Sequence, residues 1–356
     1  LDALLAQQIA QNGGWLPFDA FMQTALYAPG LGYYAGGLQK FGPMPSSGSD
    51  FVTAPELSPL FGQCLAVQAA QVMQATGARC IYEFGAGSGA LALQICEHLA
   101  HISQGLEQYF IIEISSELRA RQQERLKHLG HKVVWLDALP QEMQGVVLGN
   151  EVLDAMPVKL LQRSSGVWHE RGVAIHEAQF VWQDRPSPLR PPCEVQGPHD
   201  YLTEIHPQQE AFLKTLAERL TLGAAFFIDY GFPQAEYYHP QRHMGTLMCH
   251  HLHQSDPNPL VQIGLKDITA HVNFTGAALA AQEAGLDVLG YATQGRFLLN
   301  CGWLDRAKKL TPLARGASSK LVTEHEMGEL FKVLALGKGL DLDLIGFTEG
   351  DRSHTL

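Results

Sequence analysis

The run from Cys80 to Leu91 constrains the fold of this chain more than any other. Cys80-Ile81-Tyr82 is an apolar start of strand length that leads to the acid Glu83. Phe84 follows, then Gly85-Ala86-Gly87-Ser88-Gly89 and a helix-forming stretch from Ala90 to about Ala100. Glycines suit a tight turn in which a ligand touches bare backbone. The free N–H groups opening the next helix form a site for an anion or a polar ligand tail. Such a loop suits a dinucleotide or S-adenosylmethionine. Gly85, Gly87 and Ala90 satisfy the looser G-x-G-x-x-G/A dinucleotide pattern. Glu83 argues the other way: a carboxylate beside the loop opposes a pyrophosphate but suits an ammonium and a sulfonium.

Beyond this stretch, strand and helix patterns alternate. Strands are expected at Gln108 to Glu113, Lys132 to Leu136, Gly145 to Gly149, Ala224 to Asp229, Leu286 to Tyr291 and Leu330 to Leu336, which with the first makes seven. Helices are expected over Ser116 to Leu129 and Leu202 to Leu220. Short links between them imply an α/β fold with a mostly parallel sheet and right-handed crossovers. Ligands on such sheets bind at the carboxyl ends of the strands. That places Glu83, Glu113, Asp137 and Asn150 along one edge.

Residues 1–62 read as an N-terminal helical and lid segment, and 63–356 as the main domain. Gly36 to Ser49 is rich in Gly, Pro and Ser and reads as a loop. Asp50, Thr53, Pro55 and Glu56 follow it and form a candidate lid; Thr53 or Ser58 would serve equally well as a helix cap. Insertions are expected at about 159–200, as a β-hairpin, and at 232–273.

Composition narrows the function. The net charge of −11 argues against sequence-independent binding to DNA or RNA; it serves solubility alone or would suit a basic partner. No apolar run approaches the roughly 20 residues that span a bilayer. The six cysteines are scattered without a CxxC pair and read as reduced core residues. His239, His243, Cys249, His250, His251 and His253 cluster in sequence but lack zinc-site spacing, so no metal is expected. The chain begins at Leu1, and no targeting segment is read.

Three groups carry the chemistry. Glu113, 24 residues after Gly89, stands where an acid grips ribose hydroxyls or caps a helix, and Asp137 follows the third strand. Asn150-Glu151-Val152-Leu153-Asp154 follows the fourth strand. Glu151 and Asp154 converge if that turn is helical. They would then orient a guanidinium through paired charge-assisted bonds, or act as first-turn acids of a capped helix. His271 is a candidate general base, or a structural histidine as a lone one more often is.

Taken together, several motifs resemble the MidA-like family of class I S-adenosylmethionine-dependent methyltransferases, whose mitochondrial members are assembly factors for respiratory complex I. They are Ala25-Leu26-Tyr27 to Gly32-Tyr33-Tyr34, Asp50 to Glu56, Glu83 to Gly89, Asn150-Glu151 to Asp154-Ala155-Met156-Pro157, Asp229-Tyr230-Gly231, and Asp267 to Phe274. The resemblance covers nearly the whole chain. It implies a Rossmann-like, seven-stranded sheet with helices on both faces and added substrate-side elements. It also implies protein-arginine methylation, with a complex I subunit as acceptor in the mitochondrial members. A bacterial chain would act in the cytoplasm and a eukaryotic one in the mitochondrial matrix. On this reading Gly85, Gly87 and Gly89 cradle the methionine part of S-adenosyl-L-methionine, Glu113 holds ribose, and Asp137 with Ala138 lies by adenine. Glu151 and Asp154 orient the acceptor nitrogen, with His271 as base. Asn273 stands where the family pattern has an acid, and Met248 where it has an arginine. Two rival readings are a donor-binding assembly chaperone without turnover and an oxidoreductase using a nicotinamide dinucleotide.

Overall fold

The computed structural model of the protein describes residues 1–36, 52–252 and 254–356. Its centre is a sheet with strands β1 (Cys80–Phe84), β2 (Gln108–Ile112), β3 (Val133–Leu136), β4 (Met143–Asn150), β5 (Leu220–Phe232), β6 (Val272–Asn273), β7 (Asp287–Thr293) and β8 (Phe331–Lys338). The spatial order is β7-β8-β5-β4-β1-β2-β3, with β6 paired to the end of β5. β8 runs antiparallel to both neighbours, and all the other pairs are parallel. Among the described residues the sheet therefore has eight strands where seven were expected. The extra one is the two-residue β6, too short to show a period of its own.

Both faces are covered because side chains alternate across each strand. Val146, Leu148, Phe226 and Ile228 face a core shared with the helices Leu60–Thr76 and Ala90–His101. Val147, Ala225 and Phe227 face a second core shared with the helices Pro207–Arg219 and Phe274–Glu283. Strand order reverses between β1 and β4, whose carboxyl ends pair as Glu83 with Leu148 and Phe84 with Gly149. A crevice at such a switch point is where this architecture binds ligands.

The expected hairpin is part of something larger. Lys159–Ser164, Val167–His176, Gln179–Pro186 and Tyr201–Ile205 join Leu16–Pro17 in an antiparallel five-stranded sheet. Tyr201–Ile205 had been expected to begin a helix; the helix starts only at Pro207, whose fixed φ suits its first turn. The N-terminal helices Asp2–Gln11 and Phe18–Tyr27 share one apolar core with this sheet, through Leu5, Phe18, Phe21, Leu160 and Val173. A small third sheet joins Met248–His251 to Gln254–Asp256 and Asp267–Thr269. Among the described residues no helix is long and apolar enough to cross a membrane.

Candidate active site

A cavity of about 1460 Å³ opens over the carboxyl ends of β1, β2, β4 and β5. Gly85 and Gly87 line it, with φ of 59° and 51°. A Cβ on Gly85 would lie 3.2 Å from Val152 Cγ2, so this backbone conformation and its close approach both favour glycine. Gly89 is set back from the cavity and starts the helix Ala90–His101 at φ 80°. Glu83 lines the cavity yet is almost wholly buried, and Tyr109 Oη donates to its Oε2 at 2.8 Å. Burial pushes its carboxyl up to about 8, against that hydrogen bond.

Glu113 also lines the cavity. Its Oε1 accepts the Ser115 N–H at 2.8 Å and its Oε2 accepts Gln122 Nε2 at 2.9 Å. Gln122 Nε2 donates as well to Gly87 O, at 2.9 Å, so one amide links the glycine loop to Glu113. Ala138 lines the cavity, but the Asp137 side chain is exposed and paired with Arg119 outside it. Asp137 thus stands beside the cavity's edge at Ala138, with its carboxylate in a surface ion pair.

The candidate lid meets this loop. Thr53 and Pro55 line the cavity, while Ser88 Oγ donates to Glu56, which also pairs with Arg125 at 2.8 Å. The Thr53 side chain makes no cap bond to the helix Ala54–Leu57, whereas Ser58 Oγ accepts the Leu60 N–H at 3.3 Å. Asp50 lies outside the described residues, as does His253.

The turn after β4 is not helical. Glu151 has φ 55°, unusual for a residue with a side chain, and its N–H donates to Ile228 O at 2.9 Å. The turn then folds around Asp229 at the end of β5. Asp229 Oδ2 accepts the N–H groups of Val152, Leu153 and Asp154 at 3.2, 3.0 and 3.2 Å. Glu151 and Asp154 both face the cavity by this route and not by helical spacing. Burial and the neighbouring Asp154 push Glu151 up to about 8; Asn150 Nδ2, 3.1 Å from Glu151 Oε1, and the Ala54 N–H oppose this. Burial raises Asp154 to about 6 against a hydrogen bond from Tyr230. Burial, Asp154 and Glu151 also push Asp229 upward, against the backbone N–H groups it accepts. Asn150 lines the cavity, and its buried Oδ1 has no partner among the described residues.

His271 reaches the cavity between Tyr230 and Phe232, with ring centres 5.1 and 5.2 Å away. Burial first, then the charges of Arg242 and Lys332, lower it to about 4, so it is a weak base. Asn273 is not among the cavity's lining residues; it caps the helix Phe274–Glu283, accepting the Gly276 N–H at 3.2 Å. Its departure from the family pattern is thus a change of cap, whereas Met248 does line the cavity.

Other lining residues had been assigned no role from sequence. Tyr27 and Tyr34 stack at 5.5 Å, and Tyr34 Oη donates to Asp267 Oδ1 at 2.8 Å. Their aromatic, glycine-rich stretch was visible, but not the wall it would form. Asp229 and Tyr230 closed a strand in the sequence without indicating which turn they would hold. Among the described residues no three His, Cys, Asp or Glu side chains gather as metal ligands would.

These residues fit S-adenosylmethionine. The glycine cradle would take its amino-acid portion, with Glu83 toward the ammonium, Glu113 toward ribose and the unpartnered Asn150 Oδ1 toward a donor. Residues 64–292 match the family described as "Putative S-adenosyl-L-methionine-dependent methyltransferase". A crystal structure of a protein from Burkholderia thailandensis bound to S-adenosyl-homocysteine is 50% identical, with a TM-score of 0.96, covering 100% of this chain and 96% of that one. The mitochondrial protein arginine methyltransferase NDUFAF7 of Danio rerio is 26% identical, over 93% of this chain and 85% of its own. The homologue of that name from Drosophila melanogaster is 28% identical, over 92% of this chain and 82% of its own. The chain belongs to this family of S-adenosyl-L-methionine-dependent methyltransferases.

Proposed function

We propose that the chain methylates arginine side chains of a protein, as the names of its NDUFAF7 relatives suggest, with a respiratory complex I subunit as candidate acceptor. The observation that carries this reading is the carboxyl lining of the cavity. Besides Glu83 and Glu113, which the donor would occupy, Glu151, Asp154 and Asp267 line it among the described residues, with the Tyr27–Tyr34 stack beside them. Carboxylates paired with aromatic faces suit a planar guanidinium, which bonds two oxygens at once and stacks on rings.

S-adenosylmethionine supplies an electrophilic methyl group on a sulfonium. The chain's own residues supply aim and proton affinity. Glu151 and Asp154 hold an acceptor nitrogen so that its lone pair points at the donor side. Asp229 is a positioning residue, because it fixes the turn that carries both acids. The proton released by the methylated nitrogen passes to Glu151 or Asp154, whose raised pKa values suit them better than His271.

Glu151→Gln should keep S-adenosylhomocysteine affinity near that of the wild type while methylation of an arginine peptide falls by about 10²–10⁴. Calorimetric titration beside a radiolabelled methyl-transfer assay measures both. Normal turnover in the variant would remove Glu151 from the mechanism.

A further inference from the structure

Among the described residues that line the cavity, Arg242 is the one arginine or lysine. Its Cζ lies 3.9 Å from the centre of the Phe232 ring, and its Nε donates to Glu236 O at 3.2 Å. Its Nη1 and Nη2 groups have no acceptor among the described residues, and no carboxylate there pairs with it. An arginine held on a ring in a cavity wall, with its terminal donors unpartnered among the described residues, is prepared for an anion.

The support beneath Arg242 is fixed. The Arg242 N–H donates to His239 O at 2.8 Å. Four residues on, buried Glu204 accepts the Thr246 and Leu247 N–H groups at 2.8 and 3.0 Å. Thr246 Oγ1 in turn accepts the His271 N–H at 3.0 Å, which ties this loop to the active-site wall. From Arg242 a row of rings, Phe232, His271 and Tyr230, leads to Asp154. The cavity is therefore bipolar, cationic at one end of the row and anionic at the other.

We infer that Arg242 recognises a carboxylate carried by the acceptor close to its methylated cation. The inference rests on the proposed cationic peptide acceptor. The row of rings spans on the order of 10 Å, or about three residues of extended chain. The carboxylate belongs to an acidic side chain at that spacing or to a chain terminus there.

The test is fluorescence anisotropy of labelled peptides on the full chain saturated with S-adenosylhomocysteine. The panel has a central arginine or lysine, and three residues away a neutral side chain, a glutamate, a lysine, or the free or amidated carboxyl terminus. The wild type should bind the carboxylate-bearing peptides about tenfold more tightly than neutral ones. Glutamate and free-terminus arms separate the two sources. Arg242→Gln should erase the preference and Arg242→Glu turn it toward the lysine neighbour, with S-adenosylhomocysteine affinity unchanged as the check on folding. A merely structural arginine would weaken all peptides alike and could not reverse the preference. No preference in the wild type, equal weakening of every peptide in Arg242→Gln, or no binding at all overturns the inference. Equal binding of central lysine and central arginine, with the carboxylate preference intact, overturns the arginine reading alone.

Discussion

Among single residues, the carboxyls facing the cavity decide how pH acts. Glu151 and Asp154 hold a cation only when ionised, and burial raises them to about 8 and about 6. kcat/KM for an arginine peptide should therefore rise with pH between about 6 and 8 and level off above, as free-enzyme groups titrate. The residual rate of Glu151→Gln should level off nearer 6, where Asp154 ionises. Glu83 acts on stability with a definite sign. Its folded pKa of about 8 exceeds its ordinary 4.5, so the native state binds the extra proton between those values. Stability falls as pH rises through that window. Glu83→Gln should flatten the decline in thermal midpoint between about pH 5 and 8, a comparison that needs only melting curves.

Secondary elements place these residues. The strand–loop–helix unit at Gly85 was legible because its glycines, apolar strand and helix-forming run lie together in sequence. The turn after β4 was legible in its residues but not in its shape. Helical spacing brings Glu151 and Asp154 together on paper; in the molecule, Glu151 takes φ 55° and Asp229, from a strand far along the chain, gathers three N–H groups. Such a turn depends on an acceptor that local pattern cannot supply. Asp229→Ala leaves those buried donors unpaired and should lower stability by on the order of 3 kcal/mol, read by urea denaturation. Methylation should fall further than S-adenosylhomocysteine affinity, because the turn bearing Glu151 and Asp154 is released while the glycine cradle remains. Equal losses in both would deny Asp229 its positioning role.

For the molecule as a whole, charge and layering act together. The chain carries a net charge of −11, and its cavity concentrates carboxylates where a cationic acceptor would enter. Long-range attraction of this kind is screened by salt. KM for a basic acceptor peptide should rise several-fold between about 0.05 and 0.5 M sodium chloride, while S-adenosylhomocysteine affinity changes less. A salt-independent KM would separate acceptor capture from the field of the protein. The N-terminal helices belong to the same layer as the inserted strands, since Phe18, Phe21, Leu160 and Val173 share one core. Sequence order had separated them into an N-terminal segment and an insertion, because a core assembled from distant stretches has no local period.

Local pattern alone determined the α/β class, the glycine cradle, the strand ends bearing Glu83, Glu113 and Asn150, and the family motifs. Each is written in neighbouring residues whose spacing sets backbone geometry directly. Only the tertiary structure decided that Asp137 pairs with Arg119 at the surface, that Asn273 is a helix cap, and that His271 is a weak base between two rings. It also brought Arg242 into the same cavity as the carboxylates. Burial, charge and hydrogen-bond partners arise from segments that meet only when the chain has folded, so the chemistry of a side chain is settled by neighbours that its sequence position does not name.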